Sequence, residues 1–516
     1  MERRDFLLAG SLAAVGAAGF ARAAKHPAKV EEISLQEIAA AYNDGRLTAR
    51  QLTGIYLKRI AAFDAKGPRL GAVLEINPRA SDIAAELDRE RESRGPRGPL
   101  HGVPILIKDN IETADRLMTT AGSLALAGWY APTDAPLVAR LRAAGAVILG
   151  KANMSEWANF RSTRSVSGWS GRGGQTRNPY ALDRSPSGSS SGSAVAVAAN
   201  LCAVAVGTET NGSIVSPASI NGIVGLKPTV GLVSRGGIVP ISHSQDTAGP
   251  LARSVFDAAV LLGAMSGPDA ADPASAAADR FESNYVRCLD PEGLRGARLG
   301  IARRFFADNP RLNEFLDSCI ASLRRAAAIV LDPVDLGAQS SEGAELEVLL
   351  YEFKTDLNAY LARLPKEFPV RSLADVIRFN DAHAAEELGM FDQELLRRAQ
   401  AKGGLDEAAY RDARAACLAA SGGIDAALAE HNLDAIVTLT SGPAWLIDPI
   451  NGDGDTGGCS SPAAIAGYPH ITVPAGLYRG LPVGLSFFGA AFSEPKLIKL
   501  ASGFEHVTRS RTAPKF

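Results

Sequence analysis

The sequence has little cysteine, and its cysteines are scattered. Five occur in 516 residues, and none has the short paired spacing of a zinc site or a redox dithiol. Because the number is odd, at least one thiol stays unpaired within a monomer, and the sequence predicts no disulfide framework. The five are Cys202, Cys288, Cys319, Cys417 and Cys459.

The chain also lacks an excess of charge of one sign. It carries 54 Lys and Arg against 56 Asp and Glu, a net charge of −2. A nucleic-acid-binding protein needs a clustered basic face, so no nucleic-acid partner is predicted. The hydrophobic share is 46% and the charged share is 21%, which is an ordinary globular composition and excludes wholesale disorder.

The N-terminal apolar stretch is too short for a stable membrane span. Residues 1–24 read MERRDFLLAGSLAAVGAAGFARAA, with two arginines before the stretch and a small-x-small cleavage pattern after it. The stretch falls below the roughly 18 apolar residues that a span requires. It resembles a twin-arginine signal peptide, which predicts transient contact with an export apparatus and a periplasmic or secreted mature protein. Retention as an uncleaved anchor stays open.

The remaining residues, 25–516, are predicted to form a single α/β domain. Short apolar runs such as Val103–Ile107, Ala146–Leu149 and Ala203–Val206 read as strands and alternate with helical segments. This order favours a large mixed, mostly parallel twisted sheet with helices on both faces. Residues from about 265 to 435 are rich in Ala, Glu and Arg and are interpreted as a helical insertion or cap.

Residues 158–250 are dense in Gly and Ser, which suits a place where backbone approaches a ligand closely. Residues 188–192 read GSSSG and satisfy the G-x-S-x-G pattern of a nucleophile elbow. That motif needs a strand directly before the serine. The preceding residues, Asp183 to Pro186, cannot form a central strand, so the elbow is rejected.

Three other residues fit a catalytic arrangement better. Lys108 ends the apolar strand, at the sheet edge where open α/β folds place ligands. Ser213 follows Thr210-Asn211-Gly212 in a tight turn shortly after the strand Ala203–Val206. Ser189 lies in the Gly/Ser loop between them.

The segments PILIKDN, SPSGSSSGSA and GTETNGSIVSPASINGIVGLKPTVGLVSR together resemble the amidase signature family. The segment GWSGRGGQTRNPY is most similar to the peptide amidases of that family. The resemblance implies Ser213 as nucleophile, Ser189 as a bridging serine on a cis peptide, and Lys108 as base. It also implies an oxyanion hole made by the backbone N–H groups of four residues, which are Thr210, Asn211, Gly212 and Ser213.

The implied chemistry is physically coherent. A serine hydroxyl is a weak nucleophile until a nearby base takes its proton. Lysine is neutral near pH 7 only where it is desolvated, and an apolar strand provides such surroundings. Two departures from the family pattern stand out: Asn211 replaces a common glycine, and Ser187 and Ser191 replace glycines around the serine pair.

Other candidate residues receive simpler interpretations. His101, His243 and His470 are interpreted as structural, and Asp246 as fixing a turn. The run DPINGDGD at residues 448–455 hints at a calcium loop but lacks the required Gly and Glu, so a Gly-rich loop near the substrate is favoured. Three further residues are predicted to line the substrate site, namely Ser190, Gly457 and Gly458.

The prediction is an exported amidase that cleaves carboxamide C–N bonds, with peptide C-terminal amides as the expected substrates, without metal or organic cofactor. Its partners are a small-molecule or peptide amide substrate, with no stable membrane insertion after signal cleavage. Three alternatives stay open. They are the glutaminase subunit of a tRNA-dependent amidotransferase, a catalytically dead binding protein, and a Ser-His-Asp esterase that uses Ser190.

Overall fold

The computed structural model describes residues 30–306, 308–337 and 342–516. The predicted signal peptide, residues 1–24, lies outside the described residues. None of the helices in the described ranges combines the length and apolar character of a membrane span.

Eleven strands of the described residues form one sheet, and two more pair as a small hairpin. In chain order the strands are β1 (Val73–Ile76), β2 (Pro104–Lys108), β3 (Val147–Ala152), β4 (Trp169–Ser170), β5 (Gly174–Gln175), β6 (Val204–Glu209), β7 (Val224–Lys227), β8 (Thr247–Ala252), β9 (Arg298–Ile301), β10 (Ile329–Leu331), β11 (Ala435–Leu439), β12 (His470–Tyr478) and β13 (Leu481–Phe488). The order across the large sheet is β1-β3-β2-β6-β8-β7-β12-β13-β11-β9-β10, and β4 pairs with β5.

The large sheet is mixed, as predicted, but its parallel share is smaller than predicted. Four of its ten neighbouring pairs are parallel: β2–β3, β2–β6, β9–β11 and β9–β10. The other six are antiparallel. Connections such as the tight turn between β12 and β13 reverse the chain directly, and apolar runs carry no information about strand direction.

Fifteen α-helices occur in the described residues. They are α1 (Leu35–Asn43), α2 (Ala49–Arg59), α3 (Ala80–Arg94), α4 (Pro136–Ala143), α5 (Ser191–Ala198), α6 (Val215–Ile220), α7 (Val255–Met265), α8 (Pro310–Arg325), α9 (Glu342–Ala362), α10 (Leu373–Ala382), α11 (Ala384–Glu387), α12 (Glu394–Gln400), α13 (Ala408–Glu430), α14 (Ser461–Ala466) and α15 (Glu494–Thr508).

Helix α5 follows the Gly/Ser-rich loop and packs against several strands of the main sheet. All eight of its residues, SGSAVAVA, are buried, and it packs on β2, β3, β6 and β8. Small side chains let a helix backbone approach a sheet closely. The Gly/Ser-rich sequence before it is therefore held as an ordered loop at the edge of the sheet.

The first part of the predicted helical insertion contains strands as well as helices. Within residues 265–435, β9 and β10 extend the main sheet beyond β11, and the long helices of the cap begin only at α9. Both strands have four residues or fewer, too short for a periodicity to show. Helices α9, α10 and α12 form an apolar cluster of their own that also takes in Trp157 and Phe160, so this part covers the segment beside the site.

Candidate active site

Lys108 is the last residue of β2 and is completely buried. Its Nζ lies 2.8 Å from Ser189 Oγ, 2.8 Å from Thr208 Oγ1 and 3.1 Å from the Thr208 carbonyl oxygen. Thr208 belongs to the neighbouring strand β6. Parallel pairing of β2 with β6 therefore brings the amine and its partners together.

Burial lowers the pKa of Lys108 to about 7, because a charged amine loses its hydration inside the protein. The carboxylates of Glu209 and Asp246 act in the opposite direction, since negative charge favours the ammonium form. Burial is the larger effect. A neutral amine is thus accessible near pH 7, as a general base requires.

Ser189 lies in the loop before α5, and the Gly188–Ser189 peptide bond is cis, as the resemblance implies. The side chain is completely buried. Glycine is required at position 188, because a Cβ there would lie 2.1 Å from Ser155 Oγ. The carbonyl of Ser189 accepts a hydrogen bond of 3.1 Å from the Ser155 N–H.

Ser213 lies in the turn between β6 and α6, with 7% of its surface exposed. Its carbonyl accepts a hydrogen bond of 3.1 Å from the Ser190 N–H, so the turn abuts the loop that carries Ser189. Within the described part of the chain the Ser213 hydroxyl has no hydrogen-bond partner. The three predicted catalytic residues therefore converge from β2, the α5 loop and the end of β6.

Glu209, which the sequence reasoning missed, holds the serine turn in place. Its buried carboxylate accepts hydrogen bonds from the N–H groups of Gly212 at 2.8 Å, Ile214 at 2.7 Å and Val215 at 3.0 Å. These groups flank Ser213 on both sides. An acidic residue at the end of a buried strand, directly before a small-residue turn, is the signal that could have identified it.

The predicted oxyanion hole is available only in part. Gly212 departs from the prediction, because the Glu209 carboxylate already accepts its N–H. Among the described residues, no acceptor takes the N–H groups of Thr210, Asn211 or Ser213. These three donors remain in the turn beside the Ser213 hydroxyl.

Side chains from distant segments fix the same turn. The Thr210 hydroxyl donates to Asp246 at 2.5 Å, and Asp246 also accepts the N–H groups of Ile241 and Ser242. Burial raises the pKa of Asp246 to about 6. Asp246 thus fixes a turn, as predicted, and ties that turn to Thr210.

Asn211, the residue in place of the usual glycine, joins the turn to two other parts of the chain. Its Nδ2 donates to Glu345 of α9 at 2.8 Å and to Ser461 of α14 at 3.0 Å. Its Oδ1 accepts a hydrogen bond of 2.6 Å from Ser460. The cap and the C-terminal part of the chain are therefore both anchored at the serine turn.

A polar cavity of about 440 Å³ opens beside this turn. Gly457 and Gly458, which are predicted to line the substrate site, lie on its wall. Ser190 does not line it. Its hydroxyl is buried, donates to the Thr208 carbonyl at 3.0 Å and accepts the Thr208 N–H at 3.2 Å, so the loop before α5 uses this serine to bind β6. Residues on the wall include Asn159, Ser167, Ser187, Gly188, Asn211, Gly212, Ser216, Thr440, Trp445, Asp453 and Asp455.

The three histidines considered in the sequence bind partners other than the candidate serines. His101 contacts the Leu87 carbonyl at 2.8 Å, and His243 contacts Asp356 at 2.9 Å. His470 contacts Ser486 at 2.6 Å, and burial lowers its pKa to about 3. Among the described residues no histidine hydrogen-bonds Ser189, Ser190 or Ser213, so the geometry gives the esterase alternative no base.

Side chains that could hold a metal ion come together at one place in the described ranges, namely His243, Glu352 and Asp356. The Glu352 carboxylate already accepts hydrogen bonds from Ser244 at 2.8 Å and Tyr410 at 2.7 Å. The acidic residues of the run 448–455 do not form such a group. Asp453, for example, accepts hydrogen bonds from Ser167 and Trp445.

Comparison with known proteins identifies the family of this chain. The profile of the Amidase family matches residues 51–498, and the chain belongs to that family. A "probable amidase" of Arabidopsis thaliana is 46% identical over 498 residues, which cover 94% of this chain and 92% of the relative. The protein is thus a hydrolase that acts on amide C–N bonds.

Two further relatives carry more specific names. The crystal structure of native peptide amidase from Stenotrophomonas maltophilia superposes with a TM-score of 0.89 at 54% identity, covering 94% of this chain and 99% of that one. One subunit of the glutamyl-tRNA(Gln) amidotransferase of Halorhodospira halophila is 38% identical over 92% of this chain and 97% of its own.

Proposed function

We propose that this chain is an exported amidase that hydrolyses C-terminal amides of peptides through Ser213, Ser189 and Lys108. The observation that carries the catalytic part is the 2.8 Å contact between Lys108 Nζ and Ser189 Oγ in a fully buried setting. A buried neutral amine beside a hydroxyl is a proton acceptor, and Ser213 lies in the adjoining turn.

In the proposed reaction the Ser213 hydroxyl loses its proton to Ser189, while the Ser189 proton passes to Lys108 Nζ. The Ser213 oxygen forms a bond to the amide carbon, and the carbonyl electron pair moves onto oxygen. The free N–H groups of the serine turn stabilise that negative charge; one such donor is typically worth about 10²–10³ in rate. The C–N bond then breaks, the proton returns to the leaving nitrogen as ammonia departs, and water hydrolyses the acyl-enzyme to a carboxylic acid.

The proposed substrate class rests on the cavity and on the likeness to peptide amidase. A cavity of about 440 Å³ lined by hydroxyl, amide and backbone groups suits a short peptide, which needs many hydrogen bonds. The relative at 54% identity is named a peptide amidase. The Lys108, Ser189 and Ser213 set is complete, which argues against a binding protein without catalysis.

The test is ammonia release from a panel of peptide amides, free glutamine, and simple aliphatic and aromatic amides. Wild type should release ammonia from the peptide amides, and Ser213→Ala should reduce this to background while keeping the wild-type melting temperature. Ser318→Ala, at an exposed position on α8, is the matched control. Release only from glutamine would favour the amidotransferase alternative, and loss only with Ser190→Ala would favour the esterase.

A further inference from the structure

A second cavity, of about 340 Å³, lies next to the catalytic one. Its apolar side is formed by Met390, Phe391, Pro449 and Ile450, and its polar side includes Arg164. None of these residues has a place in the proposed catalytic steps.

The walls of the two cavities come partly from the same two segments of the chain, although no single residue lines both. The segments 159–167 and 445–455 contribute to both, and they contact one another between the cavities. The Asp453 N–H donates to the Ser165 carbonyl at 3.2 Å, and a Cβ at Gly452 would lie 2.7 Å from the Arg164 carbonyl oxygen. A tightly packed ridge therefore separates the second cavity from the catalytic one.

The rim of the second cavity exposes apolar surface. Ile450 is 78% exposed, more than any other large hydrophobic side chain of the described residues. Underneath, Trp169 and Phe391 pack edge to face at 5.2 Å, with Val166 beside them. An exposed apolar side chain beside a packed aromatic cluster is typical of a binding site.

We propose that the second cavity is a subsite for an apolar side chain of the peptide substrate, several residues before the amide that is cleaved. This inference rests on the proposed function. A peptide whose terminal amide lies at Ser213 must leave the catalytic cavity at its other end. Beyond it the chain would continue past the ridge of Gly452 and Asp453, advancing about 3.3 Å per residue where it is extended.

The test compares two series of peptide amides that end in the same C-terminal dipeptide amide. One series is extended at its N-terminus by up to four glycines, and in the other series one of these glycines is replaced by leucine. Wild type should cleave the best leucine-containing peptide about five- to tenfold more efficiently in kcat/KM than its glycine counterpart, as expected for a partly buried leucine. Ile450→Ser should remove most of that gain and leave the dipeptide amide unchanged. Ile329→Ser, which changes another exposed isoleucine on edge strand β10, should behave like wild type.

A binding measurement separates this proposal from the proposed function. Ser213→Ala is titrated with the same peptides carrying a fluorescent label, and anisotropy gives Kd. Tighter binding of the leucine peptide that disappears in Ser213→Ala/Ile450→Ser supports the subsite even if no peptide amide is hydrolysed. The subsite is ruled out if kcat/KM depends neither on peptide length nor on the leucine. It is also ruled out if Ile450→Ser lowers kcat/KM equally for the dipeptide amide and for the long peptide.

Discussion

At the scale of single residues, the buried amine of Lys108 should govern the acid side of the pH profile. Burial lowers the pKa of this lysine to about 7, and only the neutral amine can accept a proton. As pH falls through 7 the neutral fraction falls, so kcat/KM should drop about tenfold per pH unit below that value. Ammonia release measured from pH 5 to 9 gives the midpoint.

The variant Lys108→Ala should lose most of its activity, and what remains should no longer follow this acid limb. Lys66→Ala removes an exposed lysine and should leave the profile unchanged. If the acid limb of Lys108→Ala keeps the wild-type midpoint, another group is the base.

A site residue can be predicted from the sequence when its neighbours in the chain identify it. Lys108 ends an apolar strand, and Ser213 follows another in a small-residue turn. Asn211–Glu345 is a pair 134 positions apart, and no local pattern links two such residues. The acceptor of the Gly212 N–H, the Glu209 carboxylate, could not be predicted either, because a backbone N–H carries no sign of which carboxylate will accept it.

At the scale of elements, we expect a buried charged group to hold the cap on the rest of the domain. Arg161 is fully buried, lies 2.5 Å from Glu156 and 3.4 Å from Glu387 of α11, and donates to the Phe391 carbonyl. Removing one partner of a buried ion pair costs about 3–5 kcal/mol. Arg161→Met should therefore lower the free energy of unfolding by that amount, as measured by urea denaturation.

The matched control is Arg295→Met, which breaks an exposed pair with Glu292. Exposed pairs contribute about 0–1 kcal/mol, so its denaturation curve should nearly coincide with that of wild type. Equal shifts for the two variants would show that the buried group does not hold the cap.

Elements differ in how far the sequence specifies them. β2, β6 and β11 are buried along their whole length, so their apolar runs stand out. β10 has only three residues, Ile329–Leu331, at the sheet edge and partly exposed, so its apolar run is too short to distinguish a strand from the end of the preceding helix. Strand direction depends on connections and partners distant in the chain, which explains why the parallel share was overestimated.

At the scale of the whole molecule, the cysteines bear on the proposed export. They form no disulfide within the described residues, and four of the five are buried. Such a fold forms without an oxidising compartment. It is therefore compatible with a route that moves proteins after they have folded, as a twin-arginine signal does.

The proposal predicts that the two arginines at the start of the chain determine where the active enzyme is found. In a bacterial host, wild type should appear mainly in the periplasmic fraction and lose its first residues, seen as a lower mass. Arg3→Lys/Arg4→Lys keeps the charge but removes the arginine pair, so the protein should stay in the cytosol, folded and able to release ammonia from peptide amides. Arg22→Lys, near the expected cleavage site, serves as the control and should be exported. Equal export of the paired variant, or cytosolic retention of wild type, would contradict the twin-arginine signal.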